Sequence, residues 1–235
     1  MSALAPKCRH FQLTGIELLT HIVGMVVHRA DKTSHRATES PIERLRASGI
    51  VGFFRPAQVA DAGLTRDQLP ALLRSGAVER VARGLYRLAD AEATENYSVA
   101  MACSRVPTSI VCLLSALRIH GIGTQMPAQV WLAIPHKARA PRLPELRLHI
   151  VRFSGPAWTF GVRETTFEGV PARITSPART VADCFRFERL VGPEAAMEAL
   201  QDGLRQRKVT VAELSRVVEV LPSRRLSAAL DVRSI

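Results

Sequence analysis

The sequence predicts an α+β protein in two parts, an N-terminal winged helix-turn-helix followed by a larger α+β C-terminal domain. Three observations carry this. Residues 55–88 place two short helical patterns directly before an alternating hairpin. Beyond residue 96, strands and helices come in blocks instead of alternating one by one. An apolar share of 47% in 235 residues is enough for a substantial core, so the chain is not a disordered polycation.

Residues 1–38 are polar toward their end and lack strong periodicity, and read as a poorly ordered N-terminal arm with Met25 as a second candidate start. Their apolar run over 16–27 is interrupted by Glu17 and His21 and is too short to span a bilayer. Ser40-Pro41 opens a short helix over 42–47, stopped by Ser48-Gly49. A second helix fits 56–61, because proline suits the first helical position and Val59 and Ala60 can face inward. Gly63 supplies the positive φ of a tight corner. Thr65-Arg66-Asp67-Gln68 has the form of a capping box, Leu69, Leu72 and Leu73 make an inward stripe, and Gly76 is a natural stop. Pro70 disagrees. About five positions into that helix it removes a donor and crowds the preceding turn, so the helix is either kinked there or starts later.

Residues 78–81 and 85–88 alternate as strands around Ala82-Arg83-Gly84, which makes a hairpin wing and completes a domain over 41–90. The acidic, alanine-rich stretch 89–95 is the expected boundary. The second domain, 96–222, opens with an apolar segment and then a helix over 109–120, with Ile110, Leu113, Leu114 and Leu117 as its stripe. Strands follow at 130–134, 146–153, 162–167 and 170–174, the last two joined through Glu168-Gly169, and PHKARAPRLP forms a basic loop between the first two. Three helices close the domain, one capped by Ser176-Pro177, one over 193–207, and one led by the capping box Thr210-Val211-Ala212-Glu213. Residues 223–235 read as a C-terminal tail.

A net charge of +11 and a pI near 10.6 point to a polyanionic partner, nucleic acid first. The excess is spread: residues 41–90 hold eight Lys+Arg against five Asp+Glu, and residues 91–235 hold nineteen against thirteen. A DNA footprint can therefore draw on both parts. The four cysteines form no CxxC pair and no zinc-like Cys/His spacing, which fits buried reduced thiols and a cytoplasmic protein without metal or other cofactor. No membrane partner is expected.

In the winged helix, Arg66, Gln68 and Arg74 fall on or near the exposed face of the second helix of the pair, and arginine and glutamine suit guanine and adenine edges. Thr65 and Arg55 stand where phosphate contacts position such a helix, and Arg80, Arg83 and Arg87 on the wing can reach the backbone or a minor groove. Catalysis finds little support. None of Lys7, Lys32, Lys137 and Lys208 is preceded two residues earlier by a carboxylate, so the metal-nuclease triplet is missing, and no Gly-Ser dipeptide exists to open a nucleotidyltransferase site. Walker A, HExxH and GxSxG patterns are absent as well. His120 at a helix end and the pair Arg179 and Asp183, four apart, read as structural, and Trp131 and Trp158 as core. No enzyme is expected.

The stretch GLTRDQLPALLRSGAVERVARGLYRL resembles the N-terminal winged helix of AbiEi-type antitoxins, from type IV toxin–antitoxin systems. LLSALRIHGIGTQMPAQVWLAIP and ITSPARTVADCFRFERLVGPEAAMEALQDGLRQRKVTVAEL resemble the second domain of that family, so the likeness spans roughly residues 41–220. Pro70 and the N-terminal arm depart from it. The resemblance implies a sequence-specific autorepressor on inverted repeats in its own promoter, and an antitoxin that counters a neighbouring nucleotidyltransferase-type toxin without a stable complex. The alternative is a module that binds a protein partner, with the winged helix as scaffold.

Overall fold

A computed structural model describes residues 39–92 and 94–231, so the arm expected over 1–38 lies outside the described residues. Ser40 caps α1 (Pro41–Ala47). Its hydroxyl accepts the Glu43 N–H at 3.2 Å while the Glu43 carboxylate accepts the Ser40 N–H at 2.6 Å, satisfying two donors that the helix leaves open. Then come β1 (Phe53–Phe54), α2 (Pro56–Asp61), α3 (Gln68–Arg74), β2 (Val78–Ala82) and β3 (Leu85–Leu88). The strands form an antiparallel sheet ordered β1-β3-β2, and the element order is that of a winged helix-turn-helix. Leu45, Phe54, Val59, Leu69, Leu72 and Leu88 are among the side chains that fill its core.

The anomaly at Pro70 resolves in favour of a later start. Asp67 is the N-cap of α3, so Pro70 is the third residue of the first turn, where an N–H would have no intrahelical partner in any case. Half of the anticipated capping box survives as a turn ahead of the helix: the Gln68 side-chain carbonyl accepts the Thr65 N–H at 2.8 Å, and the Gln68 N–H reaches the Thr65 carbonyl at 3.1 Å.

The larger part contains α4 (Tyr97–Arg105), β4 (Ile110–Val111), α5 (Leu113–His120), β5 (Val130–Pro135), β6 (Leu148–Phe153), a 3-10 turn (Gly155–Trp158), β7 (Val162–Phe167) and β8 (Val170–Thr175). The helices α6 (Pro177–Arg186), α7 (Glu188–Val191), α8 (Pro193–Arg205), α9 (Val211–Val220) and α10 (Arg224–Asp231) follow. The five strands form one mixed sheet, β6-β5-β4-β8-β7, with β5/β6 and β4/β8 parallel and the other pairs antiparallel. Alternation along β5 sends Trp131 and Ala133 to one face and Val130 and Leu132 to the other. On the first face pack α5, α6, α8, α9 and α10. On the second lie α4 and, in the same cluster, Phe53 of β1 and Leu85 of β3. The winged helix thus closes a core that it shares with the sheet, and the described residues make one compact unit.

Two segments differ from the sequence expectation. The helix expected over 109–120 divides, because Ile110 and Val111 form the central strand β4 before α5 begins at Leu113. Both are β-branched and fully buried between β5 and β8, and sheet pairing outweighs the helical spacing they also satisfy. The tail is helical over Arg224–Asp231: Leu226 and Leu230 of α10 are buried in the helix-side core.

A pH-sensitive anchor holds the connection after α5. Glu198 of α8 accepts the Thr124 hydroxyl at 2.6 Å, the Thr124 N–H at 2.9 Å and the Gln125 amide at 3.0 Å, while Asp202 accepts the Gly123 N–H at 2.7 Å. The Thr124 hydroxyl, foremost, holds the Glu198 carboxyl below its ordinary value, and the Gly123 N–H does the same for Asp202. Both folded pKa values are lower than the unfolded ones, so this stabilisation is complete above the ordinary carboxylate range, about pH 4, and is lost as pH falls through the folded values. Thermal midpoints measured against pH for the wild type and Glu198→Gln/Asp202→Asn should differ near neutrality and converge in acid. A gap that stays constant with pH would show that these carboxylates do not act through their charge.

Candidate nucleic-acid interface

The helix-turn-helix is held by backbone bonds around Gly63, whose φ of +70° no β-branched residue adopts readily. The Leu64 N–H reaches the Val59 carbonyl at 3.1 Å, and Arg44 of α1 donates to the Gly63 carbonyl at 3.0 Å, tying the corner to the helix behind it. At the far end Gly76, φ +73°, lets the Ala77 N–H reach back to the Leu72 carbonyl at 3.1 Å. With both ends fixed, Leu69 and Leu72 face the core, and Arg66, Asp67, Pro70, Ala71 and Arg74 face outward.

The wing is shaped by a bulge. Register slips between Arg80 and Ala82, leaving Val81 without a partner on β3. The slip breaks strict alternation. Glu79 and Arg80 both stay exposed, while Val81 and Ala82 both pack toward the core shared with the sheet. Arg83 and Gly84 form the tip, Gly84 at φ +70°.

Of the eight residues singled out from the sequence, four are free cations. Arg66, Arg74, Arg80 and Arg83 are exposed, and their guanidinium groups make no hydrogen bond or ion pair. Thr65 is exposed at the start of the turn before α3, and Gln68 is half-buried with its carbonyl committed to the Thr65 N–H, leaving its amide NH2 as the group free to donate outward. The other two arginines are engaged elsewhere. The Arg55 guanidinium donates to the Ser104 carbonyl near the end of α4. Arg87 is only 8% exposed, donates to the Ala91 carbonyl and lies over the Tyr97 ring, 5.4 Å from its centroid. Arg87 shares the face of Leu85, which packs toward the core shared with the larger sheet, while Leu88 on the opposite face joins the core of the helix-turn-helix, so both faces of β3 are covered. Pro70 and Ala71 were not singled out from the sequence. Their apolar surfaces, on the outer face of α3, suit a thymine methyl, and a correct helix start would have marked them.

The candidates for chemistry in the larger part are packed into the fold. Arg179 and Asp183 of α6 are both fully buried, paired at 2.8 Å, and Arg179 also donates to the carbonyls of Ala157 and Phe160 while Arg186 donates to Asp183. Burial pushes the Asp183 carboxyl up, against the pull of the two guanidinium groups. His120 donates from Nε2 to the Thr175 carbonyl at 2.7 Å, burial lowers its pKa, and Lys208 caps the end of α5 through the His120 and Gly121 carbonyls at 2.7 Å each. Trp131 is buried and stacks on His149, and Trp158 is half-buried beneath the Arg173 guanidinium. Burial pushes the Cys103 thiol up to about 12 and the Cys112 thiol well above its ordinary value, so neither is a nucleophile at neutral pH. Among the described residues no group of three His, Cys, Asp or Glu side chains could hold a metal ion, and no helix is long and apolar enough to cross a membrane.

Residues 40–89, from the N-cap of α1 to the end of the wing, match the family model described as transcriptional regulator, AbiEi antitoxin. The resemblance read from the sequence therefore holds over this span. No curated protein matches the chain. Among solved structures, the crystal structure of the RV2827C protein from Mycobacterium tuberculosis is similar, at 16% identity and a TM-score of 0.48, over 78% of this chain and 71% of that one.

Proposed function

We propose that the protein is a sequence-specific DNA-binding repressor of its own promoter, acting as the antitoxin of a type IV toxin–antitoxin system. The observation that carries this reading is the set of four unpartnered arginines, two beside and on α3 and two on the wing, within the span that matches an antitoxin regulator family. In this reading α3 enters a major groove, Arg66 and Arg74 read base edges there, and Arg80 and Arg83 hold the sugar–phosphate backbone beside it. Gln68 offers its amide to a base, and Thr65 its hydroxyl to a phosphate. Arg55 and Arg87 support the fold of the reader. Inverted repeats upstream of the gene are the proposed target, and a neighbouring nucleotidyltransferase-type toxin is the proposed antagonist, countered without a stable complex.

Mobility shifts on the protein's own upstream DNA test the central claim, with substitutions designed to fail differently. Arg66→Ala should cost about 1–3 kcal/mol on the cognate site and little on random duplex, so discrimination falls. Arg83→Ala should weaken both duplexes alike and lower the salt slope by about one unit. Equal losses on every sequence would mean that α3 does not read bases. If neither variant loses affinity, the winged helix is scaffold and a protein partner becomes the better reading.

A further inference from the structure

We propose that the loop over residues 136–147, between β5 and β6, is a second DNA contact that grips the phosphate backbone of the duplex beside the site read by α3. The inference rests on the DNA-binding reading above and adds a contact to it. Lys137, Arg139, Arg142 and Arg147 are all exposed, and none makes an ion pair or side-chain hydrogen bond. The loop's one carboxylate, Glu145, faces Arg105 at 3.8 Å and forms no ion pair with any of the four.

Free cations on a floppy segment would be an ordinary solvated surface, but this loop is built. A single guanidinium nitrogen of Arg152 on β6 donates to the His136 carbonyl at 2.6 Å, the Ala138 carbonyl at 2.7 Å and the Pro135 carbonyl at 3.4 Å. The Ala138 N–H closes a turn on the Pro135 carbonyl at 2.9 Å, the Leu146 N–H closes another on the Leu143 carbonyl at 3.0 Å, and the Val130 N–H holds the Arg147 carbonyl at 2.9 Å. Pro141 and Pro144 restrict the backbone between these anchors. Fixing the backbone that carries the four cations in advance reduces the backbone entropy that phosphate binding would otherwise cost.

Position joins the loop to the reader. Glu145 of the loop meets Arg105 at the last residue of α4, and the preceding residue, Ser104, accepts the Arg55 guanidinium at the entrance to α2. Loop and helix-turn-helix therefore abut the same end of α4. The chemistry favours a duplex. No Phe, Tyr or Trp interrupts residues 136–147 and the exposed imidazole of His136 is its one aromatic ring, so the loop offers chiefly charge and not a row of stacking platforms for unpaired bases.

The test uses the full chain and two duplexes of its upstream DNA, one trimmed to the α3 site and one extended by a helical turn on each side. Arg139→Gln/Arg142→Gln should lower the slope of log affinity against log salt by about 1.8 on the extended duplex, roughly 0.9 per lost contact, and leave the trimmed duplex unchanged. Arg139→Lys/Arg142→Lys should keep the wild-type slope, because a phosphate contact needs charge and not a guanidinium fork. Unchanged thermal midpoints in both variants would tie these effects to binding. If the glutamine variant matches the wild type on the extended duplex while Arg66→Ala still loses discrimination, the loop is only a solvated surface and the repressor reading stands without it. Equal loss on both duplexes would overturn the flanking placement. If Arg66→Ala also has no effect, the DNA-binding reading falls and takes this inference with it.

Discussion

Arg179→Met is expected to destabilise the protein by about 3–5 kcal/mol, the cost of breaking one side of a buried ion pair. Both partners are fully buried, and the guanidinium satisfies three acceptors at once: Asp183 at 2.8 Å, the Ala157 carbonyl at 3.0 Å and the Phe160 carbonyl. It also lies 5.0 Å from the Phe153 ring centroid, so the arginine fills the junction of α6, β6 and the turn after β6. Methionine replaces the stem and leaves the carboxylate with Arg186 alone, and two carbonyls without a donor. The double variant Arg179→Met/Asp183→Leu removes the orphaned charge and should recover part of the loss, giving a coupling energy that identifies a pair acting as a unit. The pH dependence adds an independent sign. Without Arg179, burial raises the Asp183 carboxyl further above its unfolded value, so the protonated form favours the fold and the deficit should shrink as pH falls. Urea titrations at neutral and acid pH measure all three terms. A single-variant cost below about 1 kcal/mol would mean that water enters the site and the pair is not a structural clamp.

The elements legible in the sequence were those whose signals are local. Thr210 and Glu213 formed their capping box, with the Thr210 hydroxyl accepting the Glu213 N–H at 3.2 Å, and Glu168-Gly169 turned β7 into β8 with both residues at positive φ. What failed depended on partners far along the chain. Ile110 and Val111 satisfy a helical stripe, and only the arrival of β5 and β8 on either side makes them a strand. The residues of α10 carry too few apolar positions to announce a buried helix, and Leu226 and Leu230 find their place only because α6 and α9 have left a groove.

The candidate site divides along the same line. Arg66, Arg74, Arg80 and Arg83 could be marked as outward from helix spacing and hairpin position alone. Arg87 could not be placed, because the face it shares with Leu85 is open in an isolated hairpin, and only α4, whose Tyr97 ring lies beside the Arg87 guanidinium, covers it. Arg55 precedes α2 as a phosphate-binding residue would, and its carbonyl acceptor lies 49 residues away on a helix that the sequence showed only as an apolar segment. Pro70 left two readings open, a kink or a later start, and the structure takes the second: Asp67 and not Thr65 is the N-cap, which puts the proline in the first turn where it is tolerated.

Phe53→Ala should lower the stability of the whole described unit by about 3–5 kcal/mol, although the substitution lies in the winged helix. Phe53 is 1% exposed and belongs to the cluster formed with Val99, Met101, Phe167 and Val170, on the far side of the residue-89–95 connection. Its ring meets Tyr97 at 5.1 Å, and its N–H donates to the Glu168 carbonyl at 3.1 Å. The approach is close: a Cβ at Gly52 would sit 3.1 Å from the same Glu168 carbonyl, so a side chain there would push the β7–β8 turn back by a few tenths of an ångström. Both tryptophans, Trp131 and Trp158, lie in the larger part, so their emission reports its unfolding and not that of the winged helix. If the two parts share one core, Phe53→Ala shifts the tryptophan midpoint in urea together with the helical circular-dichroism signal, in a single transition. A tryptophan midpoint that stays put while part of the helical signal is lost earlier would mean that the winged helix opens on its own. In that case the loop over 136–147 and α3 would not be held at a fixed separation, and a duplex contacting both would have to supply the ordering energy that the shared core otherwise provides.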